Sequence, residues 1–261
     1  VDALYQGYLD ACRTFKWEKD GKDNKEYIRE IFEEKEIVGD MKNYLRADKL
    51  ESFDEIHKKI CVNLIEKCKE RTNMTYGQAQ KIINMAFKYL YCCKHDSAME
   101  ERFKACHMPL DSFSLEWFKR KFKEKNFSNL DSYSENNKEL PENLFTKKGE
   151  KKLKAESIGS WSSMQTWEED CKKQEYPYEF YAHVIKQYCK ENSITPLQLD
   201  FIVWSKMQKI MAAESFIKTF KDDDEENKEV INSEELEPYD ILNLKTTLEN
   251  RLSEIRPLIC K

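Results

Sequence analysis

The chain reads as an all-α protein, and three features of the sequence say so. Gly and Pro number only six each in 261 residues, too few for the tight turns of a sheet protein of this size. Lys, Glu and Leu, all good helix formers, are abundant. Apolar residues recur at steps of three and four, the spacing that lines one helix face. Ile56, Ile60, Cys61, Leu64, Ile65 and Cys68 form the first such series, and Ala79, Ile82, Ile83, Ala86, Phe87 and Leu90 the second. Leu115–Phe122, Phe180–Cys189 and Leu197–Met211 follow. The last begins after Thr195-Pro196, an N-cap and a proline at the first helical position.

Between the helices, 92–106 reads as a connection, and 126–144, with its Asn, Ser and Pro141, as a long one. Lys147–Lys154 (KKGEKKLK) reads as an exposed basic loop or a frayed helix start. Lys221–Glu237 carries nine carboxylates against two lysines and reads as a solvated linker. Leu242, Leu244, Leu248, Leu252 and Ile255 then mark an amphipathic helix within 238–261. The expected organisation is a helical domain over 1–220, the acidic linker 221–237 and that C-terminal helix.

Composition excludes several classes. Fourteen Phe, 13 Tyr and five Trp supply enough apolar surface for a sizeable core, so the chain is not disordered. No window approaches 18 uninterrupted apolar residues, and residues 1–16 lack the pattern of a signal peptide. A cytoplasmic monomer that does not enter a membrane is expected. The nine cysteines form no CxxC pair and read as reduced, buried small hydrophobes. Without a HExxH or Gly-rich phosphate motif, neither a metal nor another cofactor is expected. The net charge of −5 would argue against a nucleic-acid partner, but the acidic stretch contributes −7 of it and the remainder is +2.

The informative stretch runs from Thr75 to Trp117. Thr75 is a plausible N-cap, and Gly77 permits a tight entry to the helix that follows. Lys81 and Lys88 are seven residues apart, close to two turns, on a face beside the apolar one. A cation near a helix start opposes the helix dipole and is not chosen for stability. Lys81 is therefore either an ordinary surface lysine or a nucleophile. His107-Met-Pro-Leu-Asp111 runs into another helix, so Asp111 is either a simple cap or a working carboxylate.

Together, Lys81-Ile-Ile-Asn-Met-Ala-Phe-Lys-Tyr-Leu-Tyr91 and Met108-Pro-Leu-Asp111-Ser, thirty residues apart from Lys81 to Asp111, resemble the catalytic core of the helix-hairpin-helix DNA glycosylase superfamily. The similarity is greatest to its archaeal 8-oxoguanine branch and to bacterial proteins that share the fold. It covers about forty residues of the chain. The Leu-Pro-Gly-x-Gly hairpin of the superfamily is absent, with Tyr76-Gly77-Gln78 in its place. The resemblance implies a glycosylase core over about 60–125 that removes an oxidised or otherwise modified base from double-stranded DNA. Lys81 would be the nucleophile and Asp111 the assisting carboxylate, with a Schiff base that also permits strand cleavage. The target nucleotide must leave the stack to be reached. His107, Phe113, Trp161 and Trp204 are candidates for the base pocket. Gly77, Gln78, Lys88, Lys119, Arg120 and Lys121 are candidates for the DNA backbone. The alternative is a catalytically inactive DNA-binding or protein-interaction module on the same scaffold.

Overall fold

The computed structural model describes residues 1–18, 23–46, 52–93, 96–123, 125, 145–147, 150–166 and 175–226, with single residues at 246, 249, 250 and 253. Nine α-helices stand among the described residues. They are α1 (Asp2–Ala11), α2 (Asp23–Glu33), α3 (Lys35–Arg46), α4 (Phe53–Cys68), α5 (Tyr76–Tyr91), α6 (Ser97–Lys104), α7 (Ser112–Phe122), α8 (Tyr178–Glu191) and α9 (Pro196–Glu226). None is long and apolar enough to cross a membrane. The all-α expectation holds.

Helix α5 is the axis of the molecule. Every residue from Tyr76 to Phe87 is buried, as expected of a helix enclosed on all sides. Helices α1 and α4 pack directly on it. Gly7 allows α1 to cross closely, since a Cβ there would lie 2.4 Å from the Ile82 carbonyl oxygen. Helix α7 lies against α9, and the aromatic rings of Trp117, Phe118 and Phe122 on α7 meet Phe180, Tyr181 and Tyr188 on α8.

The helix starts follow their capping chemistry. Thr75 and Gln78 form a reciprocal capping box, with Gln78 N donating to Thr75 Oγ1 (3.1 Å) and Thr75 N to Gln78 Oε1 (3.0 Å). Thr195 and Gln198 repeat the device at the start of α9.

Two sequence expectations are corrected. Part of the 92–106 connection forms α6, capped by Asp96, whose side chain accepts from Met99 N. The basic run Lys147–Lys154 is neither a helix start nor a simple loop. Lys147 and Glu150–Leu153 belong to the antiparallel pair β1 (Phe145–Lys147) and β2 (Glu150–Leu153), and Lys154 follows β2. Leu153 is buried while Lys152 is not, the alternation of a strand. The first part of the acidic stretch continues α9 as far as Glu226. The expected loop over 126–144 and the apolar residues of the C-terminal helix lie outside the described residues.

Candidate active site

The two residues that the resemblance pairs lie in contact. Lys81 Nζ lies 2.7 Å from Asp111 Oδ2, with the side chains 6% and 11% exposed. Lys81 is thus not a surface lysine. It is the sixth residue of α5, as a Thr75 N-cap requires, and its charge is met by a carboxylate rather than by water.

Asp111 is both cap and partner. Its Oδ1 accepts from Phe113 N (3.0 Å) and Ser114 N (2.9 Å), and its own N–H donates to Ser114 Oγ (2.6 Å). Two backbone donors at the start of α7 fix the plane of the carboxylate. The free oxygen of a well-anchored cap is therefore aimed at the lysine.

Two turns further along α5, Lys88 pairs with Asp200 of α9. Its ammonium also lies 4.6 Å from the Phe201 ring centroid and 5.9 Å from that of Trp204. Burial pushes the Asp200 carboxyl up, against the opposing pull of Lys88. Lys81 lowers it and Asp111 raises it further, so the two ion pairs share one electrostatic neighbourhood. Sequence reasoning missed Asp200. The signal was present, for Asp200 sits in phase with Leu197, Val203, Met207 and Ile210 on the buried face of α9. A carboxylate at a core position needs a partner.

The remaining candidates divide between the two ends of α5. Trp204 is 41% exposed and meets Phe113 edge to face, with ring centroids 6.0 Å apart. Trp204 lies near Lys88, while the Phe113 N–H donates to Asp111. Trp161 lies at the other end, where its carbonyl crowds Gly77. Gly77 and Lys88 are separated by about 16 Å along the helix axis.

His107 is buried with both ring nitrogens engaged, Nδ1 with Tyr178 OH (2.8 Å) and Nε2 with Asp54 Oδ1 (2.6 Å). Burial pushes its pKa down to about 4. The imidazole faces an internal cluster of His57, Phe53 and Tyr178. Sequence reasoning assigned no role to Tyr178 or Asp54.

The expected backbone-binding residues are mostly committed inside the protein. Gly77 N–H donates to the Met164 carbonyl (2.8 Å) and Gln78 N–H to Thr75, which leaves neither amide for a phosphate. The Gln78 side chain donates to Thr14. Lys88 is buried in its ion pair. Arg120 forks onto Glu214 (2.9 and 2.8 Å) and also donates to Glu116. Lys121 lies 5.1 Å from the Tyr188 ring centroid. Lys119 is partly exposed on α7.

No protein family, curated protein or solved structure matches the chain. The chemistry of the site has to be argued from its own geometry.

Proposed function

We propose that the chain is a DNA glycosylase that removes an oxidised or otherwise modified base, with Lys81 as nucleophile and Asp111 as its assisting carboxylate. One observation carries this reading: a buried lysine amine lies 2.7 Å from a carboxylate that is itself anchored by two backbone donors. Such a pair can hold, release and recover a proton in a setting shielded from water.

In this reading the Lys81 ammonium first passes a proton to Asp111. The amine lone pair forms a bond to C1′ of an extruded nucleotide as the bond from C1′ to the base breaks. The base leaves with that electron pair and takes the proton from Asp111. Asp111, again a carboxylate, stabilises the positive charge at the sugar and accepts the next proton from Nζ as the ring opens, and O4′ takes that proton to leave an imine. Loss of a C2′ proton to the carboxylate then expels the 3′ phosphate. The exposed Trp204, with Phe113 at its edge, offers an aromatic surface for the extruded base.

The test is covalent trapping. Borohydride should fix the protein to duplexes bearing 8-oxoguanine or other modified bases, and Lys81→Ala should abolish the adduct. Base release from an 8-oxoguanine duplex then separates that substrate from other lesions.

A second reading is a helical DNA-binding module in which the Lys81–Asp111 pair is structural. The burial of the Lys81 side chain, 6% exposed against Asp111, favours it. It predicts salt-dependent DNA affinity with no trapping on any lesion.

A further inference from the structure

Gln80 precedes Lys81, and Leu110 precedes Asp111. The Gln80 amide is bonded to the main chain of Leu110 in both directions. Its Nε2 donates to the Leu110 carbonyl (2.9 Å), and Leu110 N–H donates to its Oε1 (3.2 Å). The second Nε2 hydrogen goes to the Gly77 carbonyl (2.9 Å), and the second Oε1 lone pair accepts from Asn84 Nδ2 (3.0 Å). All four hydrogen-bonding positions of the amide are filled. Cys106–Asp111 is buried yet forms no helix or strand, so its main chain depends on such side chains for its partners.

The orientation of Gln80 is set from further away. Asn84 Nδ2 also donates to Tyr178 OH (3.0 Å). Tyr178 in turn donates to His107 Nδ1, and His107 Nε2–H to Asp54. Lys186 holds Asp54 at the protein surface (2.7 and 2.8 Å). Every bond in this chain has one polarity. The Asp54 anion selects the His107 tautomer, the imidazole directs the Tyr178 hydroxyl, and the phenol oxygen requires the amino end of Asn84. Asn84 Oδ1 is left without a hydrogen-bond partner, although a flipped amide would set two acceptors against each other at Gln80.

We propose that Gln80 is a positioning residue that locks the Asp111 segment onto the Lys81 turn, and that the Asn84–Tyr178–His107–Asp54 chain fixes its orientation. The use made of the positioned pair rests on the glycosylase reading, but the positioning can be tested without it.

The test observes the two buried ammonium groups of α5 by nitrogen-15 NMR of the whole chain. Lys81 and Lys88, assigned by single replacement of each, should both give resonances protected from solvent exchange. In Gln80→Met, hydrogen exchange at Lys81 should rise at least tenfold while Lys88 keeps its wild-type rate. In Tyr178→Phe, the Lys81 rate should rise about threefold, again with Lys88 unchanged. This second variant carries the test if Gln80→Met fails to fold. Unchanged exchange at Lys81, or an equal rise at both lysines, would overturn the proposal, because a merely structural role loosens both pairs together. Borohydride trapping of the wild-type protein on an abasic-site duplex is scored separately. Its failure would remove the glycosylase reading and leave the NMR result standing.

Discussion

The two ends of α5 each bury a lysine against an aspartate, yet the pairs are built differently. Asp111 is anchored by Phe113 N and Ser114 N, so its position does not depend on Lys81 alone. Asp200 lies within α9 with Lys88 as its ion-pair partner, and burial pushes its carboxyl up. Lys88 in turn has the Phe201 and Trp204 rings to fall back on. The contrast separates a carboxylate anchored by backbone donors from one whose carboxyl is pushed up by burial. The second lies beside the exposed indole.

The sharpest way to break this comparison is to neutralise each carboxylate in turn. Asn still caps a helix, so Asp111→Asn removes the pair and keeps the cap, leaving a buried ammonium unmatched. A loss of about 3–5 kcal/mol in urea unfolding is expected. Asp200→Asn should cost only about 1 kcal/mol, because its partner keeps the aromatic faces. Equal losses would erase the distinction.

Acid should act on the Asp111 end through the relay behind it. His107 falls from its ordinary 6.5 to about 4 on folding, chiefly by burial. The unfolded chain therefore binds the proton more tightly. The stability this group contributes is complete above pH 6.5 and is lost as pH falls towards about 4, roughly 3 kcal/mol in all. His57, pushed well down by burial, acts in the same direction. The loss should appear in unfolding curves between pH 7 and 4 and flatten in His107→Gln. Asp200 has the opposite sign. Its carboxyl is raised from 3.8, so the folded state is disfavoured as pH rises from 3.8 through the raised value. Asp200→Asn should remove that slope and Asp111→Asn should not.

A smaller effect is expected at the entry to α5. A Cβ on Gly77 would lie 1.8 Å from the Trp161 carbonyl oxygen, so backbone must move. Gly77→Ala should lower stability by about 1–3 kcal/mol and weaken the Lys81 end before the Lys88 end. Smallest is Lys119→Ala on α7, expected to shift stability by less than about 0.5 kcal/mol. If the module binds DNA, it should reduce the salt slope of binding by about one unit.

The features legible in the sequence were local ones. The step of three and four located α4, α5, α7, α8 and the buried half of α9, and Thr75, Asp111 and Thr195 announced their helices because capping involves only neighbouring residues. Lys81 was visible as a cation near a helix start, and Asp111 as a residue suited to a cap. Helix α6 was missed because eight residues rich in charge carry little periodic signal, and the hairpin at 145–153 because its lysines masked the alternation. Tyr178 and Asp54 have no local feature that tells them from surface polar residues, whereas Asp200 sits in phase with the apolar residues of α9.

The sequence by itself therefore determined the helical class, the starts of α5, α7 and α9 and the odd placing of Lys81, since each follows from interactions within a few positions of the chain. Only the tertiary structure decided that Lys81 is buried, that Asp111 is both its partner and a cap, and that Gln80 joins them. Burial and charge pairing are set by residues 30 to more than 100 positions apart, as with Lys81 and Asp111 or Lys88 and Asp200. Spacing along the chain carries no record of such distances.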